Sequence, residues 1–156
     1  MAQQSTEYGK RGGHGHLVVQ TPVAASEVFK KKGGAFVALD ANGRATIAVA
    51  SSTNVMGHAL FNEDFTASAT AGATIVPVDY AYESCFELPI NTGTWNDNML
   101  GTRHGLTVAS SIQGIDLTDT SNVQLIVVRK GTTNTAGTVV SVIARINPNA
   151  QVPRTT

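Results

Sequence analysis

Between Gly33 and Ile146 the chain is a succession of short apolar runs, clearest at residues 36–39, 45–50, 74–78, 123–128 and 138–146. Gly, Asn, Asp, Ser and Thr fill the gaps between them. Runs of this length, rich in Val, Ile and Thr and broken by turn residues every ten positions or so, are the pattern of an all-β sandwich or barrel. They are too short and too irregular for a stack of helices. A chain of 156 residues suits one such domain with length to spare for an arm.

Several turns can be placed from residue chemistry. Residues 35–39 and 44–50 flank Asp40-Ala41-Asn42-Gly43, where Asn42-Gly43 offers the positive φ values of a tight hairpin turn. Residues 55–61 read as a strand with Gly57 at a bulge, and residues 74–90 as two strand segments. Pro77, which cannot donate to a ladder, points to an edge or a bulge. Residues 91–101 form a loop carrying the only tryptophan, Trp95. Residues 104–111 follow as a strand and lead into a polar segment ending at Asn122. Residues 123–130 and 138–146 make a final hairpin. Residues 23–32 are ambiguous: residues 24–31 suit one helical turn, and Gly33-Gly34 stops anything longer. The organisation expected is an extended arm with a short strand over 1–32, a β body over 33–147 and a tail over 148–156.

Charge narrows the partners. Charged residues make up only 14% of the chain, well below the roughly 25% of an average soluble protein, and formal net charge is zero. That argues against a general nucleic-acid binder. A surface so poor in charge suits a protein covered by neighbours. Residues 1–32 hold Lys10, Arg11, Lys30, Lys31 and Lys32 against Glu7 and Glu27, so a mildly basic leading segment precedes a mildly acidic body. A single cysteine, Cys85, allows no internal disulfide, and alternation sets it opposite Phe86 as a small buried residue. The N-terminal residues lack the apolar core of a signal peptide, and no stretch approaches the length needed to span a bilayer. Synthesis and assembly in a cytoplasm is the expectation.

No set of residues spells out a reaction. His14 and His16 lack the cysteine or carboxylate neighbours of a metal site. Asp64, Asp79, Glu83 and Glu87 are carboxylates of the type that pair in glycoside hydrolysis, but their spacing singles out no pair. Asp116, Asp119 and Asn122 fit a polar turn better than a calcium loop. His58, His104 and Ser84 supply the residue types of a triad without a nucleophile elbow. Trp95, beside Asn96, Asp97 and Asn98, reads as a sugar-stacking ring, an interface anchor or an ordinary core tryptophan. The expectation is a non-enzyme with no cofactor and no metal.

The order of motifs does resemble a known group. Val28-Phe29-Lys30-Lys31-Lys32-Gly33-Gly34-Ala35-Phe36-Val37-Ala38-Leu39-Asp40 is followed by Ala41-Asn42-Gly43-Arg44-Ala45-Thr46-Ile47-Ala48, then Met56-Gly57-His58-Ala59 and Phe86-Glu87-Leu88-Pro89-Ile90-Asn91-Thr92-Gly93. This arrangement resembles the head decoration, or cement, proteins of tailed bacteriophages over residues 28–93. It leaves the final hairpin and the 91–101 loop unaccounted for. The resemblance implies a single small barrel or sandwich of the jelly-roll or β-tulip kind. It further implies a homotrimer on the outside of the virion capsid, bridging major capsid proteins at local three-fold positions. Neither nucleic acid nor membrane is an expected partner. The expected contact residues are Lys10, Arg11, His14, His16, Lys30, Lys31 and Lys32, together with Trp95. A carbohydrate- or receptor-binding β-sandwich of a virion is the alternative.

Overall fold

A computed structural model describes residues 10–12 and 17–150, the side chains of 10–12 and of Ala150 excepted. Its strands are β1 (Lys10–Gly12), β2 (Val18–Pro22), β3 (Val28–Phe29), β4 (Phe36–Leu39), β5 (Ala45–Ile47), β6 (Val55–Ala59), β7 (Phe65–Thr66), β8 (Ile75–Asp79), β9 (Cys85–Thr92), β10 (Arg103–Ala109), β11 (Ile112–Asp116), β12 (Leu125–Lys130) and β13 (Ser141–Ile146). The only helical pieces among the described residues are 3₁₀ turns at Asp97–Met99 and Pro148–Ala150. The fold is all-β. No described helix is long and apolar enough to cross a membrane.

Two sheets make up most of the body, in the orders β1-β9-β11-β10-β12-β13 and β2-β8-β6-β4-β5. In the first, β9 also pairs with β13, so the pairings run from β9 through β11, β10, β12 and β13 back to β9. The closing step is parallel, Ile115 lying opposite Ile90. The residues alternating inward are Phe86 and Leu88 of β9, Leu106, Ile115, Leu125 and Val127, and Val142, Ala144 and Ile146 of β13, all buried. Period-2 alternation thus gives this ring an apolar inside.

The second sheet has apolar residues on both faces. Phe36 and Ala38 of β4 turn to the first core, whereas Ala35 and Val37 turn to a second core with Val23, Phe29, Ala59, Phe61, Val76 and Val78. β3 and β7 cover that second core, where Phe29 stacks on Phe65 at 4.6 Å and meets Phe61 edge-on at 5.6 Å. A sheet buried on both sides reads as continuous rather than alternating hydrophobicity, as the Ala35–Leu39 stretch does.

The sheets join through two glutamine side chains. Gln113 on β11 accepts from the Phe36 N–H at 2.7 Å and donates to the carbonyls of Phe36 and Ala48 at 2.9 and 2.8 Å. Gln124 accepts from the Leu106 N–H at 2.9 Å, with the carbonyls of Val49, Ala50 and Ser52 within 3.1 Å of its amide nitrogen. Both are buried, and each supplies hydrogen bonds to backbone that has left its own ladder. Gly34 bridges directly to Gln113, and a Cβ on Gly34 would lie 2.9 Å from the Gln113 side-chain oxygen. The Gly33-Gly34 pair therefore serves close approach between the sheets as well as ending the preceding segment.

The β4–β5 hairpin forms as the residues imply, with Val37 opposite Ile47 and Leu39 opposite Ala45. Only Gly43 of the Asn42-Gly43 pair takes a positive φ, of 73°. The final hairpin, β12 with β13, also forms. At β6, Met56 is the extra residue of a bulge beside Gly57, whose missing Cβ would fall 2.5 Å from the Asp79 carbonyl oxygen.

Other expectations change. Residues 24–31 hold a turn at Ser26 (φ 58°) and then β3, with no helical turn. The polar segment after residue 111 contains a full strand, β11, reached through a two-residue turn at Ser110 and Ser111 (φ 51° and 62°). Pro77 lies in β8, between β2 and β6 rather than at the sheet's edge. Its missing donor is tolerated because the β6–β8 pairing stops at Ala59 opposite Val78, while the Pro77 carbonyl still accepts from Leu60 N–H at 2.8 Å. The boundary at residue 32 separates no layer: β2 pairs along β8, and Val23 and Phe29 lie inside the second core.

Candidate functional site

The expected contact residues fall in separate places. Lys10 and Arg11 lie on β1, which pairs with the start of β9 at Phe86 and Cys85. His14 and His16 lie outside the described residues. Trp95 follows the other end of β9, an eight-residue strand that spans roughly 25 Å. Lys30, Lys31 and Lys32 follow β3. Here Asp64 receives the Lys31 N–H at 2.6 Å and the Lys30 ammonium at 3.4 Å. These contacts, the Lys31 backbone bond foremost, hold the Asp64 carboxyl below the usual range. Lys32 remains exposed. The basic cluster is thus partly occupied within the chain.

Trp95 sits half-buried and packs against the first core, as Leu60, Ile90 and Met99 also do. Its indole N–H donates to Asp97 Oδ1 at 3.1 Å. Asn96 caps the following 3₁₀ turn by accepting from the Asn98 N–H at 3.0 Å. Part of the ring therefore lies against the core, while the Asn- and Asp-rich loop around it is exposed, as is neighbouring Leu100.

The most exposed apolar strand is β2. Leu17 is 60% exposed, Val18 and Val19 are each 42%, and Ile75 on adjoining β8 is 59%. β2 is the outer strand of its sheet. Tyr80 N–H donates to the Leu17 carbonyl and Val23 N–H to the Thr74 carbonyl, so the odd-numbered residues face β8. The backbone groups of Val18 and Gln20 therefore point away from the sheet. Farther along, Val23 bridges to Ala45, which limits the open stretch to residues 17–20. No charged residue occurs between Leu17 and Ser26 to discourage pairing. Sequence reading found the strand but not its exposure, and the missing charges were the available signal.

The polar groups with chemical potential are used inside the fold. Ser84 Oγ donates to Asp79 Oδ2 at 2.9 Å, and Asp79 Oδ1 accepts from Ala81 N–H. His58 Nε2 accepts from the Ala35 N–H instead of meeting the serine. The residue types of a triad are wired in a different order, with the carboxylate and not the imidazole on the serine. His104 Nε2 pairs with the Thr102 hydroxyl at 2.8 Å. Glu87 Oε1 receives Ser141 Oγ at 2.5 Å and Thr132 Oγ1 at 2.6 Å.

Asp116 and Asp119 accept from the backbone N–H groups of their own turns, and Asn122 Nδ2 donates to Asp119 Oδ2 at 2.9 Å. Bonds from Asn122 hold Asp119 below the usual carboxylate range. Among the described residues no group of three His, Cys, Asp or Glu side chains is placed to hold a metal. Cys85 is half-buried rather than buried, with Sγ 3.8 Å from the Glu83 carbonyl.

No family model, no curated protein and no solved structure matches the chain.

Proposed function

We propose that this chain is a non-enzymatic capsid decoration protein that binds the outer surface of an expanded phage head and bridges its major capsid proteins. It would act as a homotrimer at local three-fold positions, and it would need neither cofactor nor metal. The cycle of pairings through β9, β11, β10, β12 and β13 supports the barrel form of the β body.

The observation that carries the reading is the open β2 edge, apolar and uncharged on an otherwise well-paired β body. Such an edge binds protein by backbone pairing, a mode that needs no reactive group. Many identical copies then multiply modest contact energies, and mass action stabilises whichever shell state they bind. The Trp95 ring offers less support to sugar binding, because it is half-buried against the core and its N–H is taken by Asp97.

The test is cosedimentation of the purified protein with empty expanded heads and with unexpanded heads, run beside a glycan array. Saturable binding to expanded heads and none to the array is expected. Glycan binding without head binding overturns the reading.

A further inference from the structure

His58 belongs to β6 in the five-stranded sheet, yet its ring packs into the other sheet. It stacks on Phe86 of β9 at a centroid distance of 4.0 Å and an interplanar angle of 5°, with Phe36 edge-on at 5.0 Å. The residue is fully buried. Nε2 accepts from the Ala35 N–H at 3.1 Å, which requires a neutral ring with its proton on Nδ1. Nδ1 has no hydrogen-bond partner. A phenylalanine would fill the same aromatic slot but leave the buried Ala35 N–H without its acceptor, so the neutral imidazole is held there by that bond while its own Nδ1 stays unpaired.

We propose that His58 is an acid-sensitive latch between the two sheets. Neutral, it holds the Ala35–Phe36 backbone and the Phe86 ring together. Protonated, it loses its acceptor for Ala35 and places a charge between two phenylalanines, so the seam between β6 and β9 opens.

The surroundings offer that charge little compensation. β8 presents the Asp79 carboxylate, already engaged with Ser84 and Ala81. β4 carries no titratable residue. On β9, Glu87 turns to the opposite side, toward Ser141 and Thr132. On β13, Arg145 alternates away from the buried Ala144 and Ile146. Burial accordingly dominates and lowers the His58 pKa from 6.5 to about 3, against smaller raising effects of the Ala59 backbone and Asp79.

The sign follows from linkage. The unfolded chain takes up this proton near pH 6.5 and the folded one only near 3. The stabilisation is complete above 6.5 and is lost as pH falls toward 3. Between pH 7 and 5, above most carboxylate titrations, His58 alone should lower the folding equilibrium constant by about 25-fold.

Urea unfolding of the wild type and of His58→Phe at pH 7 and 5 tests this. The variant should lack that share of the pH dependence, and a variant as pH-sensitive as the wild type overturns the proposal. Should His58→Phe not fold, the ring proton resonances of His58 in the folded wild type decide. A ring still neutral at pH 5 supports the latch, and one titrating near 6.5 refutes it. Hydrogen exchange locates the opening: at pH 5 the Ala35 N–H should exchange faster, after correction for its intrinsic rate, than the global unfolding constant from urea allows. Exchange limited by that constant would mean global destabilisation and no latch.

Discussion

The two sheets bury cores of similar chemistry and treat their margins in opposite ways. In the first, every strand from β9 round to β13 is paired on both sides, and the opening toward the second sheet is bridged by the Gln113 and Gln124 amides. In the second, β2 ends the order, and its Leu17–Gln20 stretch is left open to solvent with apolar side chains. The second core relies on three phenylalanines, Phe29 stacked on Phe65 and Phe61 edge-on to both, and on the short β3–β7 pair. The contrast separates the part that supplies rigidity from the part that offers a surface. It also places Trp95 with the first part, since its ring packs against the first core.

The comparison breaks first, and hardest, at the seam. Gln113→Leu would remove the partners of the Phe36 N–H and the Ala48 carbonyl and one of the two donors to the Phe36 carbonyl, while keeping much of the volume. A loss of about 3–5 kcal/mol is expected in a urea titration, because buried backbone groups without partners are costly. A loss below about 1 kcal/mol would show that the two sheets do not depend on this amide. Phe29→Ala, in the second core, should cost about 3–4 kcal/mol by leaving a cavity against Phe61 and Phe65. If intrinsic fluorescence of Trp95 and far-ultraviolet circular dichroism then melt at different urea concentrations, the sheets are separate folding units. Coincident curves are expected.

Two smaller effects sharpen the division between rigidity and surface. Trp95→Ala should lower free-protein stability by about 1 kcal/mol through the half-buried ring, and weaken head binding by about 2 kcal/mol if the exposed loop is an interface anchor. A loss confined to melting would make the residue a core residue alone. Val18→Lys should change free stability by less than about 0.5 kcal/mol, because the side chain is already 42% exposed. It should nevertheless reduce head occupancy at least tenfold, since a charge on an edge opposes strand addition. Unchanged occupancy would remove β2 from the interface.

Elements whose signals are local are legible in the sequence. The β4–β5 hairpin, the β12–β13 hairpin and the all-β class follow from alternation and from turn residues a few positions apart. Local signals failed where the turn chemistry was atypical. Ser110-Ser111 takes the positive φ values usually left to Asn-Gly, and so β11 and its Gln113 lay hidden in a polar stretch. Tertiary structure alone decided the parallel return of β11 to β9, the placement of Pro77 where its donor is not needed, and the burial of His58 against a phenylalanine from another sheet. It alone decided which strand was left at an edge. Periodicity tells which residues share a face of a strand. Which strand lies alongside, and what covers that face, is set by contacts between residues far apart in the chain, and no short window of sequence contains both partners.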